Sequence, residues 1–194
     1  MLTELRYQID CLRQPRSRAD EVRALRRRLA LQPGPDAVSE EERHIARELR
    51  RLRTALALAF GRVESCRSCV RPRSTSWPGG HCCSGRTEHL FTDHELGALR
   101  LSGTTPWSFK LPRAAHVGCA FRGPAGCSLE PTDRPCLCVR YTCRELDGEL
   151  SKRADRFAIT RLQAELRAGF ERFVACRVAR VEEELLAEIW AELG

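Results

Sequence analysis

Apolar residues in the first 65 positions recur three or four residues apart, which is the spacing of one helical face. The first run ends before Pro15 and consists of Leu2, Leu5, Ile9 and Leu12. The second run follows a helix-start signal at Ser17 and Asp20, and consists of Val22, Leu25 and Leu29. The sequence QPGPD at 32–36 predicts a turn that no helix crosses.

A longer run of the same spacing follows this turn. Ser39 is placed to cap the helix, and Glu42 occupies the capping-box position three residues later. The stripe then continues through Ile45, Leu49, Leu52, Leu56 and Phe60. Residues 1–65 are therefore predicted to form an N-terminal helical hairpin.

The last part of the chain, residues 144–194, has an apolar stripe that extends over more than thirty residues. Its members fall mostly three or four apart: Phe157, Leu162, Leu166, Phe170, Val174, Val178, Val181, Leu185, Ile189 and Leu193. The pattern predicts one long amphipathic helix, or two joined near Thr160. Such a face has to be buried, and packing on the hairpin would give an antiparallel bundle. A coiled-coil homodimer through this helix is the alternative.

Residues 66–143 form a third segment with a different composition. They hold seven of the ten prolines, and only thirteen Val, Leu or Phe residues occur among these 78 positions. One short helix is predicted, with Thr92 as its cap, Glu95 completing a capping box, and Leu96 and Leu99 facing inward. The rest reads as loops, and such a small core usually requires a staple. The predicted fold class is therefore mainly α, a bundle around a loop-rich, metal-stapled cysteine segment.

Cysteine content and charge limit which kind of cross-link could stabilise this segment. Nine of the eleven cysteines lie between Cys66 and Cys143. We see no secretory signal at the N-terminus, so we expect a cytoplasmic protein, and disulfides are rare in that reducing compartment. The longest strongly apolar run, ALALAF at 55–60, is too short to span a bilayer. The formal charge of +7 is partly cancelled when thiolates bind a metal.

The cysteine spacing indicates metal binding. Cys66-x2-Cys69 is a pair of the kind found in zinc fingers and ribbons, and iron–sulfur clusters use similar spacings. Cys82-Cys83 and five further thiols follow, enough for two four-sulfur sites or for one site with spares. Four of the five histidines lie in the same segment and could replace a sulfur: His81, His89, His94 and His116. The spacing leaves open which metal binds, and whether there are one or two sites.

The middle segment resembles the YkgJ-like family of cysteine-cluster proteins, which are described as zinc- or iron-chelating and are related to flagellin lysine N-methylases. The resemblance is carried by Cys82-Cys83-Ser84-Gly85 with the helix LFTDHEL after it, Cys119-Ala120-Phe121, Gly126-Cys127-Ser128-Leu129, and Arg134-Pro135 followed by Cys138. Gly79 stands where the family has the first cysteine of its CxxCC motif, and Glu130 replaces a tyrosine.

The resemblance implies a set of metal ligands, consisting of Cys82, Cys83, Cys119, Cys127 and Cys138, with Cys66 and Cys69 joining them across an insertion. The bound group would be an iron–sulfur cluster, possibly of the [4Fe-4S] type, or zinc. The roles of Cys136 and Cys143 stay open. Arg134 and Arg140 could donate hydrogen bonds to cluster sulfurs or to a bound anion.

Three classes of function follow from these features. The first is a non-catalytic metal protein with a redox or partner-binding role, its partner being another protein or a second copy bound through the C-terminal helix. The second is an enzyme like the flagellin N-methylases, but the chain has no glycine-rich nucleotide loop, HExxH or GxSxG, and we assign no catalytic residue. The third is a zinc-stabilised nucleic-acid-binding protein, using arginines of the hairpin and stacking by Trp77 and Trp107. Interleaved acids on the same helices argue against it.

Overall fold

The computed structural model describes residues 18–60, 87–112, 119–123 and 126–193, and this part of the chain is mainly helical. The helices are α1 (Arg18–Ala30), α2 (Glu40–Phe60), α3 (Thr87–Leu90), α4 (Asp93–Leu101), α5 (Cys136–Arg140), α6 (Arg144–Leu150) and α7 (Arg156–Leu193). Two strands of two residues each, β1 (Arg122–Gly123) and β2 (Gly126–Cys127), pair antiparallel as a hairpin. The predicted mainly α fold class is confirmed. The predicted helix over Leu2–Leu12 lies outside the described residues.

The longest two helices, α2 and α7, form the centre of the bundle. They run antiparallel, because Glu42 near the start of α2 pairs with Arg180, while Glu48 one to two turns later pairs with Arg172. Gly169 permits a close approach, since a Cβ there would lie 3.2 Å from Leu49 Cδ2. The buried side chains of this first core come from α2, α4, α5, α6 and α7, and include Leu49, Leu56, Val139, Leu146, Leu166 and Phe173.

A second core joins α1 to the middle segment. Its centre is three phenylalanines, Phe91, Phe109 and Phe121, whose ring centroids lie 5.3 to 5.6 Å apart. Val22, Leu25 and Leu29 of α1 close this core, as their spacing predicts. The Arg26 guanidinium also donates to the Phe109 carbonyl at 2.7 and 3.1 Å. The middle segment thus has its own apolar core, built largely from aromatic residues that are far apart in the sequence.

Two predicted helix caps are present. The Ser39 hydroxyl accepts from the Glu42 N–H at 3.1 Å, and the Thr92 hydroxyl accepts from the Glu95 N–H at 3.2 Å. The side chains of Glu42 and Glu95 do not form the second hydrogen bond of a capping box, the one to the backbone N–H of the N-cap residue. Glu42 and Glu95 are both buried and bind groups on other helices. These two positions therefore join helices to one another.

The C-terminal helix α7 is continuous, so the alternative of two helices joined near Thr160 is wrong. The prediction that the whole stripe packs on the hairpin is also wrong, because Val178, Leu185, Ile189 and Leu193 are exposed. A stripe that advances by four residues rotates about 40° at each step around a helix of 3.6 residues per turn. The stripe consequently winds away from α2 towards the C-terminal end. Among the described residues, no helix is long and apolar enough to cross a membrane.

Candidate metal centre

Three of the seven predicted ligands lie in the described part of the chain: Cys119, Cys127 and Cys138. The other four, Cys66, Cys69, Cys82 and Cys83, lie outside it, as do His81, His116 and Trp77. Among the described residues, no group of three or more Cys, His, Asp or Glu side chains is placed to hold a metal ion. The full predicted ligand set is therefore not tested.

Cys119 and Cys127 lie near each other, at the hairpin that follows the second core. Cys119 comes three residues before β1, and Cys127 ends β2 opposite Arg122. The Thr87 hydroxyl lies 3.8 Å from the Cys119 sulfur as a donor, and accepts from the Ala120 N–H at 3.0 Å. Burial raises the pKa of Cys119, and the neighbouring Cys127 adds to the rise. A metal ion that bound both sulfurs would hold them as thiolates.

Helix α5 holds the next two cysteines on different sides. Cys136 is buried and Cys138 is half-buried. Residues two apart on a helix point about 200° from each other, so their side chains leave α5 in nearly opposite directions. The two cysteines therefore face different surroundings, although only Leu137 separates them.

The surroundings of Cys136 are a buried polar group made with Arg53 of α2 and Glu95 of α4. The Cys136 N–H donates to Glu95 Oε1 at 2.9 Å, and Arg53 Nη2 donates to the Cys136 sulfur at 3.3 Å. The same nitrogen lies 3.5 Å from Glu95 Oε2, which is an ion pair without a hydrogen bond. Burial raises the pKa of Cys136 to about 12, although Arg53 opposes the rise. Burial therefore favours the neutral thiol of Cys136 over its thiolate.

Arg53 is left with unused donors. Its side chain is fully buried, yet Nε and Nη1 have no hydrogen-bond partner among the described residues. Glu95 supplies a carboxylate, but burial raises its pKa, with Arg53 only partly offsetting that effect. A buried cation with unsatisfied N–H groups is unfavourable unless an anion or acceptor lies beside it. A further negatively charged group beside Arg53 would therefore be favourable.

The burial of Arg53 is not predicted by the sequence analysis, which counts it among the hairpin arginines of a possible nucleic-acid surface. A signal was present, because Arg53 follows Leu49 by four residues and precedes Leu56 by three. Glu42 likewise precedes Ile45 by three residues, and its buried carboxylate pairs with Arg180 at 3.2 Å. Charged residues that fall within an apolar stripe were thus the sign of buried ion pairs.

The two remaining described cysteines have local structural roles. Cys143 is the N-cap of α6, and its sulfur accepts from the Leu146 N–H at 3.5 Å. Cys176 lies on α7 with its sulfur 3.7 Å from the Ser39 hydroxyl. Neither is part of a disulfide, and the same holds for Cys119, Cys127 and Cys136. Cys143 and Cys176 therefore serve as reference thiols for tests of the predicted ligands.

The arginines considered for a nucleic-acid surface are largely bound within the protein. Arg23 pairs with Asp20, Arg28 with Asp93, and both Arg43 and Arg47 with Glu40. Arg50 Nη1 donates to the Ser102 carbonyl, and Arg26 binds Phe109. Trp107 is exposed, but Arg26 lies over its ring at 5.7 Å. This arrangement is typical of a salt-bridged surface more than of a phosphate-binding one.

The arginine predicted to donate to cluster sulfurs at position 134 instead contacts its own loop. Arg134 Nε donates to the Leu129 carbonyl at 3.0 Å. In the described part of the chain, Arg53 donates to a cysteine sulfur, that of Cys136. Comparison of the chain with protein-family models, curated proteins and solved structures finds no match. The resemblance to the YkgJ-like cysteine-cluster proteins stays a prediction.

Proposed function

We propose that the chain is a metal-binding protein whose middle segment holds an iron–sulfur cluster or a structural zinc ion through cysteine thiolates. The ligands are drawn from Cys66, Cys69, Cys82, Cys83, Cys119, Cys127 and Cys138. The helical bundle holds this centre for a redox or partner-binding role in the cytoplasm. Soft thiolates suit zinc and iron–sulfur clusters, which fits this donor set.

The observation that supports the proposal most directly is the placement of Cys119 and Cys127 at the β1–β2 hairpin beside the second core. A second observation is Arg53, which lies on the Cys136 side of α5. Its guanidinium is fully buried and donates to a cysteine sulfur of α5 through one nitrogen, while two other nitrogens have no partner in the described ranges. The contacted sulfur is Cys136, which is not a predicted ligand, and Cys138 leaves α5 on the opposite side, so the contact shows an arginine–sulfur hydrogen bond in this fold without placing Arg53 at the proposed ligands. Hydrogen bonds to sulfur are also a main influence on the properties of such centres.

The positions of the described ligands add to this support. Cys119 and Cys127 come together at the β1–β2 hairpin, and Cys119 is part of the second core. Vicinal Cys82-Cys83 and widely separated single ligands resemble cluster binding more than paired zinc knuckles, so we favour iron–sulfur. Bound in this way, a cluster would supply one-electron chemistry, while zinc would supply structural closure alone.

The test begins with the full chain purified without oxygen, followed by metal analysis, acid-labile sulfide analysis and a visible spectrum. A brown protein with iron and sulfide indicates a cluster, and a colourless protein with zinc indicates a structural site. Cys127→Ser and Cys138→Ser should each lower the metal content by more than half. A folded wild-type chain that holds neither metal would show that the proposal is wrong.

The matched controls are Cys143→Ser and Cys176→Ser. Serine is a good N-cap, so the substitution at Cys143 should keep the start of α6 intact. Both variants should retain the wild-type metal content. Equal loss of metal from all four variants would point to general destabilisation, and would remove the support for the named ligands.

A further inference from the structure

The last part of α7 has an apolar face that the rest of the described chain does not cover. Arg180 pairs with Glu42, close to where α2 begins, and every residue from 181 to 193 is exposed. At 100° per residue, Val181, Leu185, Ile189 and Leu193 fall within an arc of about 120° that continues from Val178, and the exposed Leu186 and Trp190 adjoin one edge of it. We call this the distal face, and its members are Val178, Val181, Leu185, Ile189 and Leu193.

The distal face points away from α2. Its centre lies about 130° around the helix from Leu166 and Phe173, which are buried in the first core. Residues 181–193 extend the helix by about 20 Å, and a helix of that length is marginally stable in water without packing. Ile189 is 51% and Leu193 76% exposed, so this surface is built to be covered by something else.

The charges around the distal face have one sign. Residues 181–193 contain five glutamates and no basic residue: Glu182, Glu183, Glu184, Glu188 and Glu192. By helical position, Glu182 and Glu192 fall inside the arc of the distal face. The chain as a whole has a charge of +7, so this end is a local exception.

These charges disfavour a second copy of the chain as the occupant. Pairing two distal faces would bring Glu182 and Glu192 of each copy together in an apolar interface. The nearest arginines are already engaged, Arg177 with Gln32 and Arg180 with Glu42. The spacing of the face, three residues and then four each time, also lacks the alternation of three and four that a coiled coil requires.

We propose that the distal face is a docking surface for a basic amphipathic helix of another protein. Apolar residues of that helix, spaced three or four apart, would pack on Leu185 and Ile189, while its Lys or Arg residues would pair with Glu182 and Glu192. This is the helix-on-helix mode of recognition, with charge selecting the partner. The proposal does not depend on the metal centre.

The test uses the full chain and labelled helical peptides of about 20 residues, compared by fluorescence anisotropy. One peptide has a leucine stripe with flanking lysines, a second has the same stripe with flanking glutamates, and a third is a scrambled version of the first. The first should bind at least about tenfold more tightly than either of the others. Equal binding of the scrambled peptide, or of the acidic one, would overturn the proposal.

Substitutions on the chain complete the test. Leu185→Ser with Ile189→Ser should weaken the basic peptide about tenfold without lowering the unfolding midpoint, because both side chains are exposed. Leu58→Ser, at an exposed leucine of α2, is the matched control and should not change binding. Glu182→Lys with Glu192→Lys should reverse the preference towards the acidic peptide. If the chain alone sediments as a dimer that the Leu185 and Ile189 substitutions dissociate, the occupant is a second copy and the proposal is wrong.

Discussion

At the scale of single residues, Arg53 is the side chain whose loss should matter most for the buried polar group. Arg53→Met removes the cation that faces Glu95 and the donor to the Cys136 sulfur. Glu95 is then buried without its partner and must either stay charged or take up a proton, both at a cost, so we expect the free energy of unfolding at neutral pH to fall by about 3–5 kcal/mol. Urea unfolding followed by far-UV circular dichroism measures this change.

The control for Arg53→Met removes both charges. In Arg53→Met/Glu95→Gln, the amide oxygen can still accept from the Cys136 N–H, and no uncompensated charge remains inside. The double variant should therefore be more stable than Arg53→Met alone. If the two substitutions instead add their separate costs, Arg53 and Glu95 are not energetically coupled and the description of this group is wrong.

A second prediction at this scale concerns the titration of Glu95. Burial raises its pKa in the folded chain above the ordinary value of 4.5. The folded state therefore binds this proton more tightly than the unfolded state does. Its contribution to stability is fully present below about pH 4.5 and is lost as the pH rises through the folded pKa.

The measurement for Glu95 compares two unfolding series over pH, one for the wild type and one for Glu95→Gln. Other carboxylates titrate in both proteins, so the useful quantity is the difference in free energy of unfolding between them. This difference should shift against the wild type as the pH rises above 4.5. A difference that is independent of pH, or one that rises with pH, contradicts the raised pKa.

At the scale of elements, Gly97 sets how α4 meets α7. A Cβ at this position would overlap the Arg177 guanidinium, whose Nη2 donates to Gln32 at 2.7 Å and whose Nη1 contacts the Asp93 carbonyl. Gly97→Ala therefore forces the end of a flexible side chain to move. We expect the lost contacts to offset the gain of about 1 kcal/mol in helix propensity, leaving unfolding nearly unchanged.

The same substitution should have a different effect once Arg177 is removed. In the background of Arg177→Ala, the added Cβ meets no guanidinium, so Gly97→Ala should raise the free energy of unfolding by about 0.5–1 kcal/mol. Thermal unfolding of the four proteins in this cycle gives the coupling energy between the two positions. Equal effects in both backgrounds would show that Arg177 does not occupy this space in solution.

The elements also show which features of the fold follow from sequence and which do not. The stripe from Ile45 to Phe60 and the caps at Ser39 and Thr92 are local signals, and the structure has the helices that they predict. The winding of the stripe on α7 is also a local feature, because it follows from steps of four residues. Which part of the stripe is left exposed, however, depends on where α2 begins. Arg53 and Glu95 are 42 positions apart, and only the packing of α2 on α4 brings them together.

At the scale of the whole molecule, two cores meet at α4. Ala98 packs in the core shared by α2 and α7, while Leu96 and Leu99 pack in the core with the three phenylalanines. Of the predicted ligands in the described ranges, Cys119 and Cys127 belong to the second core. Their pairing could not be derived from spacing alone, because it depends on a two-residue hairpin in a segment with little apolar periodicity.

This division predicts that removing the proposed metal affects one core more than the other. The second core includes Cys119 and Cys127, which the proposed metal would join, whereas α2 and α7 are held by extensive apolar packing and by pairs such as Glu42 with Arg180. After chelation, amides of 119–123 and 126–129 should exchange at least about tenfold faster, which corresponds to about 1.4 kcal/mol of local stability. Amides in the middle of α2 and α7 should change far less.

Hydrogen exchange with mass spectrometry, applied with and without metal, measures the exchange rates in both cores. The control is Cys143→Ser, which should retain its metal and behave as the wild type does. A uniform acceleration in both cores would show that the bundle unfolds as one unit when the metal leaves, and would contradict the separation of the cores argued here.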